Sequence, residues 1–255
     1  MKILKLGQML GGSNAPSAAG FENLYSLEFD GSNLLQFTDK DVFTINDSGA
    51  NRGMTWSAWV KPDASNKDIL TKYDGSGKEW KLRVGKGSTV EMIVYGNDSL
   101  TITQSLVTDA VNIIGNSWHH VAVTFDLSSA TSSLIAYVDG VAYSQALGNA
   151  SYFSAGTWSA SINTNAKMIL ANSSYVGHID EVAIFDNTAN GSVIDSIYNS
   201  GVPNDISGLD DLLGWWRNGD PTGTGAYPTI VDQSSNSNDG TMTGMASGDI
   251  QTDVP

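Results

Sequence analysis

The sequence predicts an all-β protein built from two antiparallel sheets packed face to face. Short runs rich in β-branched and aromatic residues recur about every 8–15 residues from Tyr25 onward, separated by Gly, Asn, Asp and Pro. Apolar and polar residues alternate within these runs, which is typical of strands with one buried face. Only one segment shows convincing helical spacing. Together these patterns favour a β-sandwich.

Each predicted strand is bounded by turn residues. The run at 26–31 alternates Leu27 and Phe29 before turning at its Asp-Gly pair. Residues 79–96 form a predicted hairpin, and Asp139-Gly140 lies between apolar residues in a pattern that strongly favours another. The remaining predicted strands cover residues 54–62, 118–126, 133–143, 167–173 and 177–186.

The helical segment runs from Ser192 to Asn199. Its apolar residues recur at helical spacing, and Gly201 stands where a helix would stop. A second short turn is predicted over residues 209–213. We expect the rest of the chain to be strand and loop.

The chain divides into two parts. Residues 1–24 are predicted to be a flexible N-terminal arm, because residues 7–20 are small and polar and show no periodicity. Residues 25–255 are predicted to form a single domain. The apolar start at residues 1–6 is too short for a secretory signal, and no run is long enough for a membrane span.

Composition excludes several kinds of site. The chain has no cysteine, so disulfides, thiolate metal sites and cysteine nucleophiles are absent. Its formal net charge is −14, which would repel nucleic acid. The 27 acidic residues are overwhelmingly aspartate and cluster with Gly, Asn and Ser. This composition is typical of turns or of oxygen-rich calcium sites.

Six segments in order carry a family likeness: SLEFDG, MTWSAWVKPD, ILTKYD, WHHVAVTFD, IAYVDGVAY and GHIDEVAIFD. Over residues 26 to about 200 the chain resembles a laminin-G-like domain of the concanavalin A-like lectin/glucanase superfamily. The resemblance implies a two-sheet antiparallel jelly-roll sandwich with one short helix. This agrees with the fold class predicted from the strand pattern.

One segment departs from the family order. LLGWWRNGD…DQSSNSNDGTM, which usually precedes the FDG strand, lies here at 212–242. The order is similar to a circular permutation, in which residues 205–255 supply a closing strand and tail. We expect the segment around residues 213–217 to form a strand beside that of Leu27 and Phe29 and to complete the sheet. This order, the arm and the C-terminal sequence also resemble lectin-like structural proteins of tailed bacteriophage particles.

The family resemblance implies a structural calcium ion. The aspartate of the last long strand, here Asp180, often helps to hold such an ion, and Asp30 could contribute from the neighbouring strand. Calcium prefers six to eight oxygen ligands, which carboxylates and carbonyls supply. The alternative is that both aspartates cap turns or accept backbone hydrogen bonds.

Carbohydrate-binding candidates are aromatic residues near loop edges, where a ring can stack on a sugar. Tyr73, Tyr95 and Tyr175 meet this criterion. Most tryptophans lie in alternating strands and are expected in the core. Of the adjacent pair Trp215 and Trp216, one is expected to face inward and one outward. The sugar hypothesis itself rests on the family resemblance.

Catalytic residues are not predicted. His119 and His120 are adjacent in a strand and point to opposite faces, so they cannot converge on one ligand. The Glu-x-Asp-x-x-Glu pattern of hydrolases sharing this jelly roll is absent. We expect the aspartates to be solvated in turns, without the raised pKa of a general acid. The protein is therefore predicted not to be an enzyme.

Three functions remain as hypotheses. The first is a non-catalytic virion structural protein, a phage capsid decoration or fibre-type protein, assembled in the host cytoplasm. Its arm would bind other virion or capsid proteins, with many copies or a homo-oligomer on one particle. The alternative is a carbohydrate-binding module of a bacterial surface or secreted protein that binds cell-surface glycans. A diverged glycosidase is the third. Nucleic acid and membranes are not expected partners.

Overall fold

The protein is a two-sheet antiparallel sandwich with one α-helix. A computed structural model describes residues 20–45, 53–87, 89–95, 101–106, 112–126, 133–144, 163–172 and 174–255. Within these ranges, two sheets of eight strands each pack face to face. The all-β jelly-roll prediction is confirmed.

Sheet 1 contains the strands that surround β12. Its order is β10-β9-β8-β3-β12-β1-β16, and β13 also pairs with β12. Its strands are β1 (Ser26–Asp30), β3 (Gly53–Pro62), β8 (His119–Asp126), β9 (Ser133–Val138), β10 (Val141–Ser144), β12 (Val176–Phe185), β13 (Leu212–Trp216) and β16 (Ile250–Gln251).

Sheet 2 has the order β14-β15-β2-β11-β4-β5-β6-β7. Its strands are β2 (Leu34–Phe37), β4 (Lys67–Asp74), β5 (Gly77–Val84), β6 (Val90–Tyr95), β7 (Thr101–Leu106), β11 (Met168–Leu170), β14 (Thr229–Ile230) and β15 (Gly240–Thr243). Short 3₁₀ turns occupy Asp41–Phe43, Asn199–Gly201, Gly223–Ala226 and Ser247–Asp249.

The core lies between the inner faces of the sheets. Trp56 of β3 and Trp80 of β5 meet across it, with ring centroids 5.2 Å apart. The Trp80 indole N–H donates to the carbonyl of Phe43 at 2.8 Å, so its polar atom is satisfied inside the core. One hydrophobic cluster includes these residues and the inward side chains of both sheets.

A buried ion pair lies at the edge of the core beside β4. Lys72 points inward, since its neighbours across the strands are the core residues Met168 and Trp80. Its ammonium contacts carboxylates of Glu79 at 2.5 Å and Asp39 at 2.8 Å. These contacts offset the cost of burying a positive charge.

Strand β12 organises sheet 1. One of its edges pairs with β3 along most of its length. The other edge is shared end to end: β1 pairs with its first half and β13 with its second half. We predicted that residues 213–217 would pair with the strand of Leu27 and Phe29. That partner was wrong, because β13 continues the edge of β12 beyond the end of β1.

A helix covers the outer face of sheet 1. Helix α1 (Gly191–Tyr198) begins where the Asn190 side chain accepts a hydrogen bond from the Val193 N–H, and it ends at Asn199 in the left-handed conformation. Its buried residues pack on sheet 1 together with Trp215. The predicted turn at 209–213 was partly wrong, since β13 begins at Leu212. No helix in the described ranges is long and apolar enough to span a bilayer.

The first described residues belong to the domain. Phe21 stacks on Trp215 with ring centroids 6.2 Å apart, and the Arg217 guanidinium lies 4.2 Å above the Phe21 ring. The Leu24 N–H donates to the Asp220 carboxylate at 2.9 Å. Residues 21–24 were assigned to the arm, and these contacts place them in the folded unit instead. Residues 1–19 of the predicted arm lie outside the described residues.

The C-terminal segment closes one end of sheet 1. Strand β16 pairs with β1, and Ser26 donates its hydroxyl to the Asp253 carbonyl at 2.6 Å. The Asp253 carboxylate accepts from the Lys61 ammonium at 2.6 Å and the Trp118 indole N–H at 2.9 Å. Residues from β3, β1 and the loop before β8 are thereby joined through one aspartate.

We expect Trp216→Ala to lower the free energy of unfolding by about 3–5 kcal/mol, because the change leaves a large cavity between the sheets. Trp216 is fully buried, lies 4.6 Å from the Phe37 ring and donates its indole N–H to the Asn238 carbonyl. Urea unfolding followed by circular dichroism measures the change. Val231→Ala is the control, since Val231 is 52% exposed and should cost under about 0.5 kcal/mol. Equal effects of both changes would contradict the burial described here.

Candidate functional site

A β-bulge in β12 creates a buried acidic cluster. The register with β3 shifts between Asp180 and Ala183, and Glu181 adopts a positive φ of 46°. Because of the bulge, two consecutive carboxylates leave the regular alternation of the strand. Both are buried in the protein. A positive φ on a non-glycine residue at such a place marks a candidate functional site.

Asp180 is completely buried without an ion-pair partner among the described residues. Its carboxylate accepts hydrogen bonds from the Asn23 amide at 2.9 Å and from the Glu181 N–H at 2.8 Å. Burial raises the pKa of Asp180 well above its usual value, and the charge of Glu181 raises it further. A bound cation would favour the charged form of this carboxylate.

Glu181 has a basic partner. Its carboxylate accepts from the Trp215 indole N–H at 2.6 Å and from the Arg217 guanidinium at 3.0 Å. Burial raises the pKa of Glu181 to about 7, against the opposing effect of Arg217. The expectation that the aspartates are solvated, with no raised pKa, was therefore wrong for Asp180. Neither side chain is open to a substrate, since Asp180 is 0% and Glu181 5% exposed.

Among the described residues, three further oxygens near Asp180 are buried and have no hydrogen-bond partner. They belong to the side chains of Asn23, Asn218 and Asp220. Asn23 donates to Asp180 itself, and Asn218 donates its amide N–H to the carbonyl of the preceding residue, Ile179, at 2.8 Å. The Asp220 carboxylate accepts a hydrogen bond from the N–H of Leu24, the residue after Asn23. All three residues are thus held beside Asp180, with an oxygen left unsatisfied.

This donor set fits a hard cation. Within the described ranges, no group of three or more His, Cys, Asp or Glu side chains is placed to hold a metal. Calcium, however, also takes amide and backbone carbonyl oxygens. We propose that Asp180 and Asp220, with the amide oxygens of Asn23 and Asn218, hold a structural calcium ion. Such an ion would satisfy the unpartnered oxygens and neutralise the buried charge.

Asp30 does not belong to this cluster. In β1 it lies opposite Val176, whereas Leu27 lies opposite Ile179, next to Asp180. Three residues along a strand separate these positions by about 10 Å. The Asp30 carboxylate instead accepts hydrogen bonds from the N–H groups of Ser32 and Asn33. These bonds, led by the one from Ser32, lower its pKa. Asp30 therefore caps a turn, the alternative considered from the sequence.

Two of the three candidate tyrosines lie together on the outer face of sheet 2. The rings of Tyr73 in β4 and Tyr95 in β6 have centroids 5.6 Å apart, and both side chains are partly exposed. Burial raises the pKa of Tyr95 to about 12, so its hydroxyl remains a hydrogen-bond donor. Tyr175 is fully buried and donates to the His178 carbonyl at 3.0 Å. The structure therefore places Tyr175 in the core and not at an exposed loop edge.

Charged residues flank the tyrosine pair. The Lys81 ammonium lies 3.9 Å from the centre of the Tyr73 ring. Asp68 contacts Lys81 at 2.9 Å and Arg83 at 3.0 Å, and Arg83 also contacts Glu91 at 3.2 Å. We call Tyr73, Lys78, Lys81, Arg83 and Tyr95 the tyrosine face. It offers ring surfaces beside hydrogen-bonding groups, the combination that small-ligand sites require.

The histidine pair is divided between two partners. His119 contacts the Asp139 carboxylate at 2.8 Å, while His120 contacts the Ser57 hydroxyl at 2.8 Å. Ser57, Asp139 and the histidines do not form a catalytic triad. The Asp139 carboxylate contacts the ring of His119, whereas the Ser57 hydroxyl contacts the ring of His120. His120 is fully buried beside Trp59 and Tyr198. The prediction that the pair does not converge on a ligand agrees with these positions.

The family follows from the sequence match. The profile of the concanavalin A-like lectin/glucanases superfamily, Laminin_G_3, matches residues 29–195. The chain belongs to this family. Its fold is accordingly a lectin-like jelly roll, as both sheets show. No curated protein matches the chain by sequence.

Several solved structures are similar to this chain at low sequence identity. A Bacteroides ovatus protein assigned to carbohydrate binding matches with a TM-score of 0.55 and 16% identity, over 91% of this chain and 60% of that one. The SAP-like pentraxin of Limulus polyphemus matches with a TM-score of 0.48 and 14% identity, over 71% of this chain and 86% of that one. The CBM40 of Ruminococcus gnavus IT-sialidase was solved with α2,3-sialyllactose. It matches with a TM-score of 0.45 and 12% identity, over 68% of this chain and 96% of that one. This chain spans only 60% of the length of the Bacteroides protein.

We expect calcium to raise the thermal stability of the protein. Binding only to the folded state stabilises it by about 2.7 kcal/mol when free calcium exceeds Kd a hundredfold. Differential scanning calorimetry in calcium and in chelator measures the shift. Asp180→Asn should abolish the calcium-dependent shift, whereas the matched change Asp30→Asn should retain it. Identical melting of the unaltered protein in calcium and chelator would exclude the site.

Buried His120 should destabilise the fold in acid. Burial lowers its pKa from 6.5 to about 4, so the unfolded chain takes up the proton first. Its contribution is fully present above pH 6.5 and is lost as pH falls towards 4, by about 3 kcal/mol in total. Urea unfolding between pH 7 and 4 should show a shallower acid loss for His120→Asn than for the unaltered protein. An acid slope unchanged in His120→Asn would contradict this assignment.

Proposed function

We propose that the protein is a non-catalytic carbohydrate-binding module that binds glycans through the tyrosine face. The observation that carries this proposal is the pair of partly exposed rings, Tyr73 and Tyr95, side by side on a sheet surface. Aromatic rings with adjacent polar groups provide stacking area and directional hydrogen bonds together. The carbohydrate-binding assignment of the Bacteroides ovatus protein is consistent with it.

The two outer faces of the sandwich differ in a way that supports this choice. On sheet 1, helix α1 and the following segment bury the outward side chains in a second hydrophobic cluster. On sheet 2, neither described hydrophobic cluster extends over the outward side chains of β5 and β6. Lys81, Arg83, Glu91 and Tyr95 remain partly exposed there. A ligand therefore finds side chains on sheet 2 that need not first be uncovered.

The acidic cluster supports a binding role over a catalytic one. A general acid must reach the substrate oxygen within hydrogen-bond distance. Asp180 and Glu181 are enclosed by the residues that bond them, so their raised pKa values accompany burial and not access. In that case the proposed calcium ion would stabilise the folded state. In this proposal the protein acts at a bacterial surface or after secretion, where glycans are available.

The virion hypothesis remains a prediction. Its motives were the rearranged segment order, the C-terminal sequence and the N-terminal arm, of which residues 1–19 lie outside the described residues. A glycan-binding jelly roll is compatible with a particle surface, where many copies would add avidity. Capsid and portal genes beside the coding gene would favour the virion role.

We expect Tyr95→Ala to weaken glycan binding about tenfold, since it removes the stacking ring, a loss of about 1.4 kcal/mol. A glycan array with multimeric protein identifies a ligand, and calorimetric titration measures Kd. The control is Tyr227→Ala, which changes an exposed tyrosine outside the tyrosine face. Binding that is equally strong in both variants would remove the tyrosine face as the site. Release of reducing ends from any bound polysaccharide would overturn the non-catalytic assignment.

A further inference from the structure

Basic residues are concentrated on the β4–β5 hairpin. Six of the 13 lysines and arginines lie within residues 67–86, together with three of the 27 acidic residues. The whole chain has a net charge of −14. The segment therefore carries a local net charge of +3, opposite in sign to the net charge of the whole chain.

Only some of these basic side chains lie on the tyrosine face. Lys72 is buried and is neutralised by Glu79 and Asp39. Lys81 and Arg83 point outward beside the tyrosines, and Lys78 is exposed next to Tyr73 with its ammonium 5.6 Å from the ring centre. The tyrosine face thus carries three cations.

Two carboxylates oppose these three cations. Asp68 is shared between Lys81 and Arg83, and Arg83 is shared further with Glu91. Among the described residues, no carboxylate forms an ion pair with Lys78. Within the described ranges, the Lys78 charge is therefore left without a carboxylate partner at the edge of the tyrosine face, where a ligand can meet it.

The position of Lys81 argues against a neutral sugar on Tyr73. Its ammonium lies 3.9 Å above the ring, so a pyranose stacking on that surface would have to displace a cation–π contact and the Asp68 ion pair. A negatively charged substituent would instead gain from Lys81 and Lys78 without displacing either. Tyr95 would still provide a ring for the sugar itself.

We infer that the ligand of the tyrosine face is an anionic saccharide, one that carries carboxylate or sulfate groups. This inference rests on the proposed function and names its ligand class. The sugar ring packs beside Tyr95, and its anionic group lies between Lys78 and Lys81. The charge of Lys78, which no described carboxylate neutralises, supplies the preference over neutral sugars.

The test compares matched charged and neutral glycans on the intact chain. Oligogalacturonate is paired with its methyl ester, and dextran sulfate with dextran, by calorimetric titration. We expect at least one charged member to bind about tenfold more tightly than its neutral partner. Its affinity should fall as salt rises from 50 to about 300 mM, because salt screens exposed charges. The two pairs show whether carboxylate or sulfate is preferred.

Charge-reversal variants locate the preference. Lys78→Glu should remove most of the tenfold advantage, whereas Lys86→Glu should leave it within about twofold. Lys86 is the matched control, since it is exposed in the turn after β5, about 26 Å along the strand from Lys78. Unfolding curves of both variants verify folding.

The outcomes separate the two proposals. Equal affinity for charged and neutral partners, with loss of both in Tyr95→Ala, would overturn the anionic preference and leave the glycan-binding function in place. Failure of every glycan on a broad array to bind would overturn the function itself. An advantage that survives Lys78→Glu and disappears in Lys86→Glu would place the anionic group elsewhere and overturn the geometry inferred here.

Discussion

The pairing of β12 is the constraint on which sheet 1 and the acidic cluster depend. One edge of this strand is held by β3, and the other must accommodate two strands from opposite ends of the described chain. The bulge at Asp180 and Glu181 falls where β1 gives way to β13. Buried backbone at that junction needs partners, and Asn218 donates its amide to the Ile179 carbonyl there. Asn23, which precedes β1, donates to the Asp180 carboxylate at the same place. The acidic cluster is thus a result of how the strand edge is divided.

Much of the fold follows from local patterns in the sequence. Alternation and turn residues placed β1, β3, the β5–β6 hairpin, β8 and β12, and Asp139-Gly140 does form a hairpin turn with positive φ at both residues. The Trp215-Trp216 pair divides between the two faces as expected, with Trp216 in the inner core. These features depend on neighbours in sequence, which a single sequence displays directly.

Long-range pairing and short strands were harder to predict. β14 and β16 have two residues each, too few for an alternation to be visible. The partner of β13 is set by which edge of β12 remains free after β1 ends, and no local pattern encodes that. The same limit affected the candidate site. Asn23 and Asn218 resemble ordinary turn residues, and only their approach to Asp180 distinguishes them. Tyr175 resembled Tyr73 in sequence context yet fills the core.

The two adjacent tryptophans of β13 have a consequence for how the protein comes apart. Trp216 packs between the sheets, while Trp215 packs under Phe21 on the opposite side, in the cluster that contains helix α1. The backbone joins both rings rigidly, so β13 cannot leave one cluster and remain in the other. Loss of β13 should therefore disrupt the inner core and the helix-containing cluster together.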